Sequence, residues 1–95
     1  MQVEWKESAL DTLADIYVLA TVPQRELIAA TVERITRRLG SDPWFLGESR
    51  GTEHRRVWFH FPLVVGFELV IGQPKVNVYH VALLLLPQTD GDESE

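Results

Sequence analysis

Three short apolar runs crowd the second half of this chain and limit what it can fold into. They are Val57–Phe61, Leu63–Ile71 and Val76–Leu83, inside the stretch Gly51–Leu86. β-Branched and aromatic residues dominate each run. Pro62 separates the first two, and Gly72-Gln73-Pro74 separates the second from the third. Apolar runs of this length, broken by turn residues, predict a three-stranded antiparallel meander. Period-two alternation then assigns faces. Val57, Phe59 and Phe61 share one face of the first strand, and Arg56, Trp58 and His60 the other. In the second strand Val65, Phe67, Leu69 and Ile71 form the core set, while Val64, Gly66, Glu68 and Val70 face away. In the third, Val76, Val78 and His80 alternate with Asn77, Tyr79 and Val81.

The first half supplies the cover such a sheet needs. Gln2-Val3-Glu4-Trp5 alternates polar and apolar, which predicts a short strand that returns to pair with the meander. Ser8 then offers an N-cap, with Asp11 three residues on. Ala9, Leu10, Leu13, Ile16, Tyr17 and Ala20 recur at helical spacing and predict one buried face, with Tyr17 at the core or its edge. Thr21-Val22-Pro23-Gln24 breaks and restarts the helix, with a capping box between Thr21 and Gln24 and Pro23 in the first turn. Leu27, Ile28, Thr31, Val32, Ile35 and Leu39 carry the second helix to a stop at Gly40. Arg34, Arg37 and Arg38 match the negative end of its dipole. The two helices form a hairpin whose apolar face has only the sheet to cover it. The loop from Ser41 to His54 then holds Trp44, Phe45 and Leu46, expected under the helices, and an exposed stretch from Gly47 to Gly51.

Ninety-five residues predict a single domain, 1–87, with one core. The acidic tail 88–95 holds Asp90, Asp92, Glu93 and Glu95 without a base, and is expected to be disordered. Without that tail the chain carries ten acidic and nine basic residues, so the body is near neutral. A nucleic-acid binder usually shows a basic excess; here the bases concentrate only locally, between Arg34 and Arg56. With no cysteine there is no disulfide and no thiolate chemistry. No leader-like segment and no apolar run long enough to cross a bilayer stands out, so a cytoplasmic protein without membrane contact is expected. His54, His60 and His80 lack a ligand pattern for a metal, and no cofactor motif appears.

The order strand, helical hairpin, Arg-containing loop and meander resembles the RelE/ParE toxin family. Ala9-Leu10-Asp11-Thr12-Leu13-Ala14-Asp15-Ile16-Tyr17 is similar to that family's first-helix signature. Asp42-Pro43, Gly47, Arg50 and the Arg55-Arg56-Val57 strand start resemble its punctuation, and Val76–Val81 its final strand. The resemblance spans about residues 2–83. It implies an α+β fold, with the N-terminal strand and helical hairpin on one face of a mainly antiparallel sheet. It also implies the toxin of a type II toxin–antitoxin module, with a cognate antitoxin as partner. RelE-like members cleave mRNA on the ribosome, and ParE-like members inhibit DNA gyrase. Metal-independent RNA cleavage needs a cation for the phosphorane charge, a base and an acid. The resemblance offers Arg55 or Arg56, assisted by Arg50, for the first, and His60, His80 or Tyr79 for proton transfer. Ala82–Pro87 carries no titratable side chain where nuclease members place one. A catalytically inactive, purely protein-binding member is therefore the alternative. The expected docking surface combines Trp58, Val64 and Val70 on the open sheet face with Leu84 and Leu86 beyond the last strand. It would take an antitoxin segment or a second copy in a homodimer.

Overall fold

The computed structural model describes residues 1–43, 46–50, 52–70 and 72–84, with side chains left aside at 48–50, 52 and 53. Strand β1 (Gln2–Trp5) leads into helices α1 (Glu7–Leu19) and α2 (Val22–Ser41). Strands β2 (Glu48–Arg50), β3 (Thr52–His60), β4 (Leu63–Leu69) and β5 (Lys75–Leu83) follow. They form one sheet in the order β1-β5-β4-β3-β2. The predicted meander is β3-β4-β5, antiparallel throughout, and β1 returns to pair with β5 in parallel. The expected α+β architecture, with a helical hairpin over one sheet face, is the one observed. Strand β2 is an addition: the stretch expected to be an exposed loop pairs antiparallel with β3, Glu48 opposite Val57.

The core lies between hairpin and sheet. Ile28, Ile35 and Leu39 of α2 and Ala9 of α1 meet Leu63, Val65, Phe67 and Leu69 of β4 and Val76, Val78 and Val81 of β5. Each fully buried aliphatic or aromatic side chain of this set contributes roughly 1.5–3 kcal/mol from removal of apolar surface. Thr31, also fully buried, donates its hydroxyl to Leu27 O at 2.8 Å, so it brings no orphan polar group inside. Trp5 donates Nε1–H to Thr36 Oγ1 at 3.0 Å and so ties β1 to α2.

Two terminus assignments change. Helix α1 begins at Glu7 with Lys6 at the N-cap and no capping side chain. Ser8, expected to cap it, sits within the first turn, where its hydroxyl donates to Tyr79 O at 3.3 Å and links α1 to β5. Helix α2 runs through Gly40 to Ser41. Gly40 serves close approach instead of termination: the Met1 amino group donates to Gly40 O at 2.6 Å, and a Cβ there would lie 3.3 Å from Met1 O. Tyr17, expected at the core or its edge, is 37% exposed, and Arg25 lies over its ring at 5.9 Å. Arg25 also donates Nε–H to Tyr17 O and Nη2–H to Val18 O, which satisfies the last carbonyls of α1. The capping box of Thr21 and Gln24 forms as predicted. Trp44, Phe45, Gly51, Ile71 and the tail 88–95 lie outside the described residues.

At the β1 edge Glu4 accepts from Lys75 Nζ at 2.7 Å and from Lys6 Nζ at 3.1 Å. The hydrogen bond from Lys75, and then that from Lys6, lowers the Glu4 pKa below 4.5. A lowered carboxyl pKa contributes stability above the unfolded value and loses it as pH falls through the folded one. Wild type should therefore exceed Glu4→Gln slightly in melting temperature at neutral pH, with the gap closing below about pH 4.5. A gap that persists at pH 2 would assign the effect to shape rather than charge.

Candidate functional site

The helices leave one face of the sheet open, and register decides what stands on it. The turn at Phe61 and Pro62 pairs His60 with Leu63 and hence Trp58 with Val65 and Arg56 with Phe67. Residues directly opposite each other in an antiparallel pair share a face. Leu63, Val65 and Phe67 are core, so Arg56, Trp58 and His60 point to the helix side. Trp58 packs partly buried against the core, with Arg38 of α2 over its ring at 5.8 Å and His60 edge-on at 5.1 Å. This corrects the expectation that Trp58, Arg56 and His60 share the open face with Val64 and Val70. Only the two valines belong there.

The open face instead carries Arg55, Val57 and Phe59 of β3, opposite Glu68, Gly66 and Val64 of β4. Phe59 is 57% exposed and Phe61, at the turn, 53%. On β5 the register slips between Gly66, opposite His80, and Phe67, opposite Val78. Tyr79 is the extra residue, a β-bulge that re-aims its side chain. Two consequences follow. Val81 joins Val76 and Val78 in the core, and His80, grouped with those valines by simple alternation, is exposed beside Gly66 on the open face.

Tyr79 lies across Gly66, where a Cβ would stand 3.2 Å from Tyr79 Cζ and 3.3 Å from His80 Cβ. Glycine at 66 is thus the seat of the tyrosine ring. Arg55 sits over that ring at 5.1 Å, and its Nε approaches Glu68 Oε2 at 3.9 Å. A cation–π contact at an exposed site is worth about 0.5–1 kcal/mol, and an exposed ion pair about 0–1 kcal/mol. The cluster is therefore held weakly and can be rearranged by a partner. The charged side chains described on this face and its β1 edge are near balance: Glu4 and Glu68 among Lys6, Lys75 and Arg55.

Of the six candidate catalytic residues, the fold brings together Arg55, Tyr79 and His80. Arg56 and His60 lie on the other face, and His60 cannot meet His80 through the sheet. Arg56 has Nε and Nη1 buried with no hydrogen-bond acceptor among the described residues. For Arg50 the strand is described but the side chain is not. Leu84 is partly buried, its N–H bonded to Pro62 O at 2.7 Å, and Leu86 lies outside the described residues. Among the described residues no group of His, Asp and Glu is placed to hold a metal, and no helix is long and apolar enough to cross a membrane. Sequence reasoning missed the pairing of Arg55 with Glu68 and the exposure of Phe59 and Phe61. The two-residue turn at Phe61-Pro62 held the signal, because it alone sets which β3 residues oppose the core of β4.

No protein-family model matches the chain, and no curated protein does. Solved structures do. A chain of the chromosomal ParDE TA system from P. aeruginosa superimposes with a TM-score of 0.67 at 14% identity, covering 90% of this chain and 97% of that one. A chain of the toxin–antitoxin complex RelBE2 from Mycobacterium tuberculosis gives 0.64 at 15% identity, covering 86% and 88%. The fold is RelE/ParE-like.

Proposed function

We propose that this chain is the toxin of a toxin–antitoxin pair, neutralised by a cognate antitoxin, and that it inhibits growth by docking its open sheet face on a protein target of the DNA gyrase kind. The two solved structures compared above come from toxin–antitoxin assemblies. The observation that favours contact over RNA cleavage is the state of Arg55. Its guanidinium already has the Glu68 carboxylate beside it, and the neighbouring positions on the same face are Val57, Phe59 and Val64. A surface that stabilises a phosphorane needs unopposed positive charge; a protein-docking surface needs exposed apolar anchors ringed by polar groups. The second reading, a metal-independent endoribonuclease acting on ribosome-bound mRNA, is supported by the convergence of Arg55, Tyr79 and His80.

Inducible expression, with and without the product of any short reading frame adjacent to the gene, tests the proposal, and two variants separate its readings. Phe59→Asp should relieve growth arrest, while Arg55→Ala should leave most of it. Under the nuclease reading the order reverses, because loss of the cation costs about 10²–10³ in rate. Absence of growth arrest by the wild type would remove the toxin assignment itself.

A further inference from the structure

Helix α1 is apolar on two sides, and only one of them is used by the fold. Ala9, Leu13 and Ile16 face the core. Leu10, Ala14, Tyr17 and Val18 form a second stripe, at the i, i+4, i+7, i+8 spacing of neighbours on a helix surface. Leu10 is 48% exposed and Val18 71%; Leu19 and Val22, at the hairpin tip, are 87% and 64% exposed. Leu10, Leu13, Ala14, Tyr17 and Val18 line an open groove of about 420 Å³ on the outside of the hairpin. Along one flank of the stripe run Glu7, Asp11 and Asp15, all exposed. Helix α1 carries no base, and none of these three carboxylates makes an ion pair among the described residues. Among the described residues Arg25 lies at the far end of the stripe against Tyr17, and Lys6, one turn before Leu10, is paired with Glu4.

We infer that this outer face of α1 is a docking site for an amphipathic helix of a different protein, apolar at i, i+3/i+4 and i+7 and flanked by Lys or Arg. The stripe is about 12 Å long at 1.5 Å per residue, so two to three turns of partner helix cover it. Charge selects the occupant. A second copy pairing α1 with α1 would bring acidic rows together with no base on either helix. An anionic lipid surface would be repelled by the same row. A basic-flanked helix meets complementary charge and buries the apolar stripe. The site lies on the hairpin and does not depend on the open sheet face or on the toxin assignment.

The test is a display library of helical peptides with a fixed apolar stripe and randomised flanks, selected on the full chain and counter-selected on Val18→Glu. Val18 is so exposed that this variant should melt with the wild type. The expected result is enrichment of Lys and Arg flanks. Chosen peptides should bind wild type at least tenfold tighter than Val18→Glu and tighter than acid-flanked versions of themselves by about tenfold, the latter gap shrinking as salt screens it. Backbone amide shifts on binding should concentrate in α1. The inference would be overturned by no enrichment over Val18→Glu, by enrichment without charge preference, or by concentration-dependent self-association of wild type that Val18→Glu abolishes. Binding to vesicles of one-third anionic lipid, lost in Val18→Glu, would assign the face to a membrane instead.

Discussion

Phe67→Ala should lower the melting temperature by about 15–30 °C. Phe67 is fully buried at the centre of β4, between Arg56 of β3 and Val78 of β5, and is the largest fully buried side chain among the described residues. Truncating a core phenylalanine costs about 3–5 kcal/mol from lost transfer energy and the cavity left behind. A domain of this size has about 5–15 kcal/mol of stability in all, and each kcal/mol shifts its midpoint by about 4–8 °C. Phe59→Ala, on the exposed face of β3, is the control and should move the midpoint by only a few degrees. Thermal melts followed by circular dichroism check both. Equal effects for the two phenylalanines would mean that the face assignment of β3 is wrong.

Gly66→Val should dismantle the Arg55–Tyr79–His80 cluster while leaving the fold in place. A Cβ at 66 would already press on Tyr79 Cζ at 3.2 Å and His80 Cβ at 3.3 Å, and the two added methyls leave the ring no seat. The overpacking costs about 1–3 kcal/mol if the neighbours cannot give. Because Tyr79 is on the surface, it can swing away, and Arg55 then loses the ring it stacks on. The expected signature is a modest loss of stability, with changed resonances for the Tyr79 ring and the Arg55 Nε–H. Unchanged positions for both would show that the tyrosine does not need the glycine. Gly66→Ala, with one methyl, should lie between.

Apart from β2, the secondary structure was legible because each element carries its own period and its own punctuation. The apolar runs of β3, β4 and β5 are β-branched and aromatic, and Pro62 and Gly72-Gln73-Pro74 mark their turns. The Thr21–Gln24 box and Pro23 place the helix restart at its observed position because capping is a local interaction over four residues. Helix boundaries fared worse. Lys6 takes the N-cap of α1, and Gly40 continues α2, because a hydrogen bond to Tyr79 O and the approach of Met1 act from elsewhere in the chain.

What the sequence determined by itself was the set of elements apart from β2, the hairpin-over-sheet layering and a single core, since these follow from how far apart like residues recur. Tertiary structure alone decided which side chains stand on the open face. A turn of two residues and one bulge set that choice, and in a strand a shift of one residue exchanges the faces. The Phe61-Pro62 turn sends Trp58, Arg56 and His60 to the helices, and the bulge at Tyr79 turns His80 outward and Val81 inward. The second apolar stripe of α1 was hidden for the same kind of reason. Leu10, Tyr17 and Val18 satisfy helical periodicity as well as Ala9 and Ile16 do, and only packing against β5 shows which of the two stripes the protein keeps for itself.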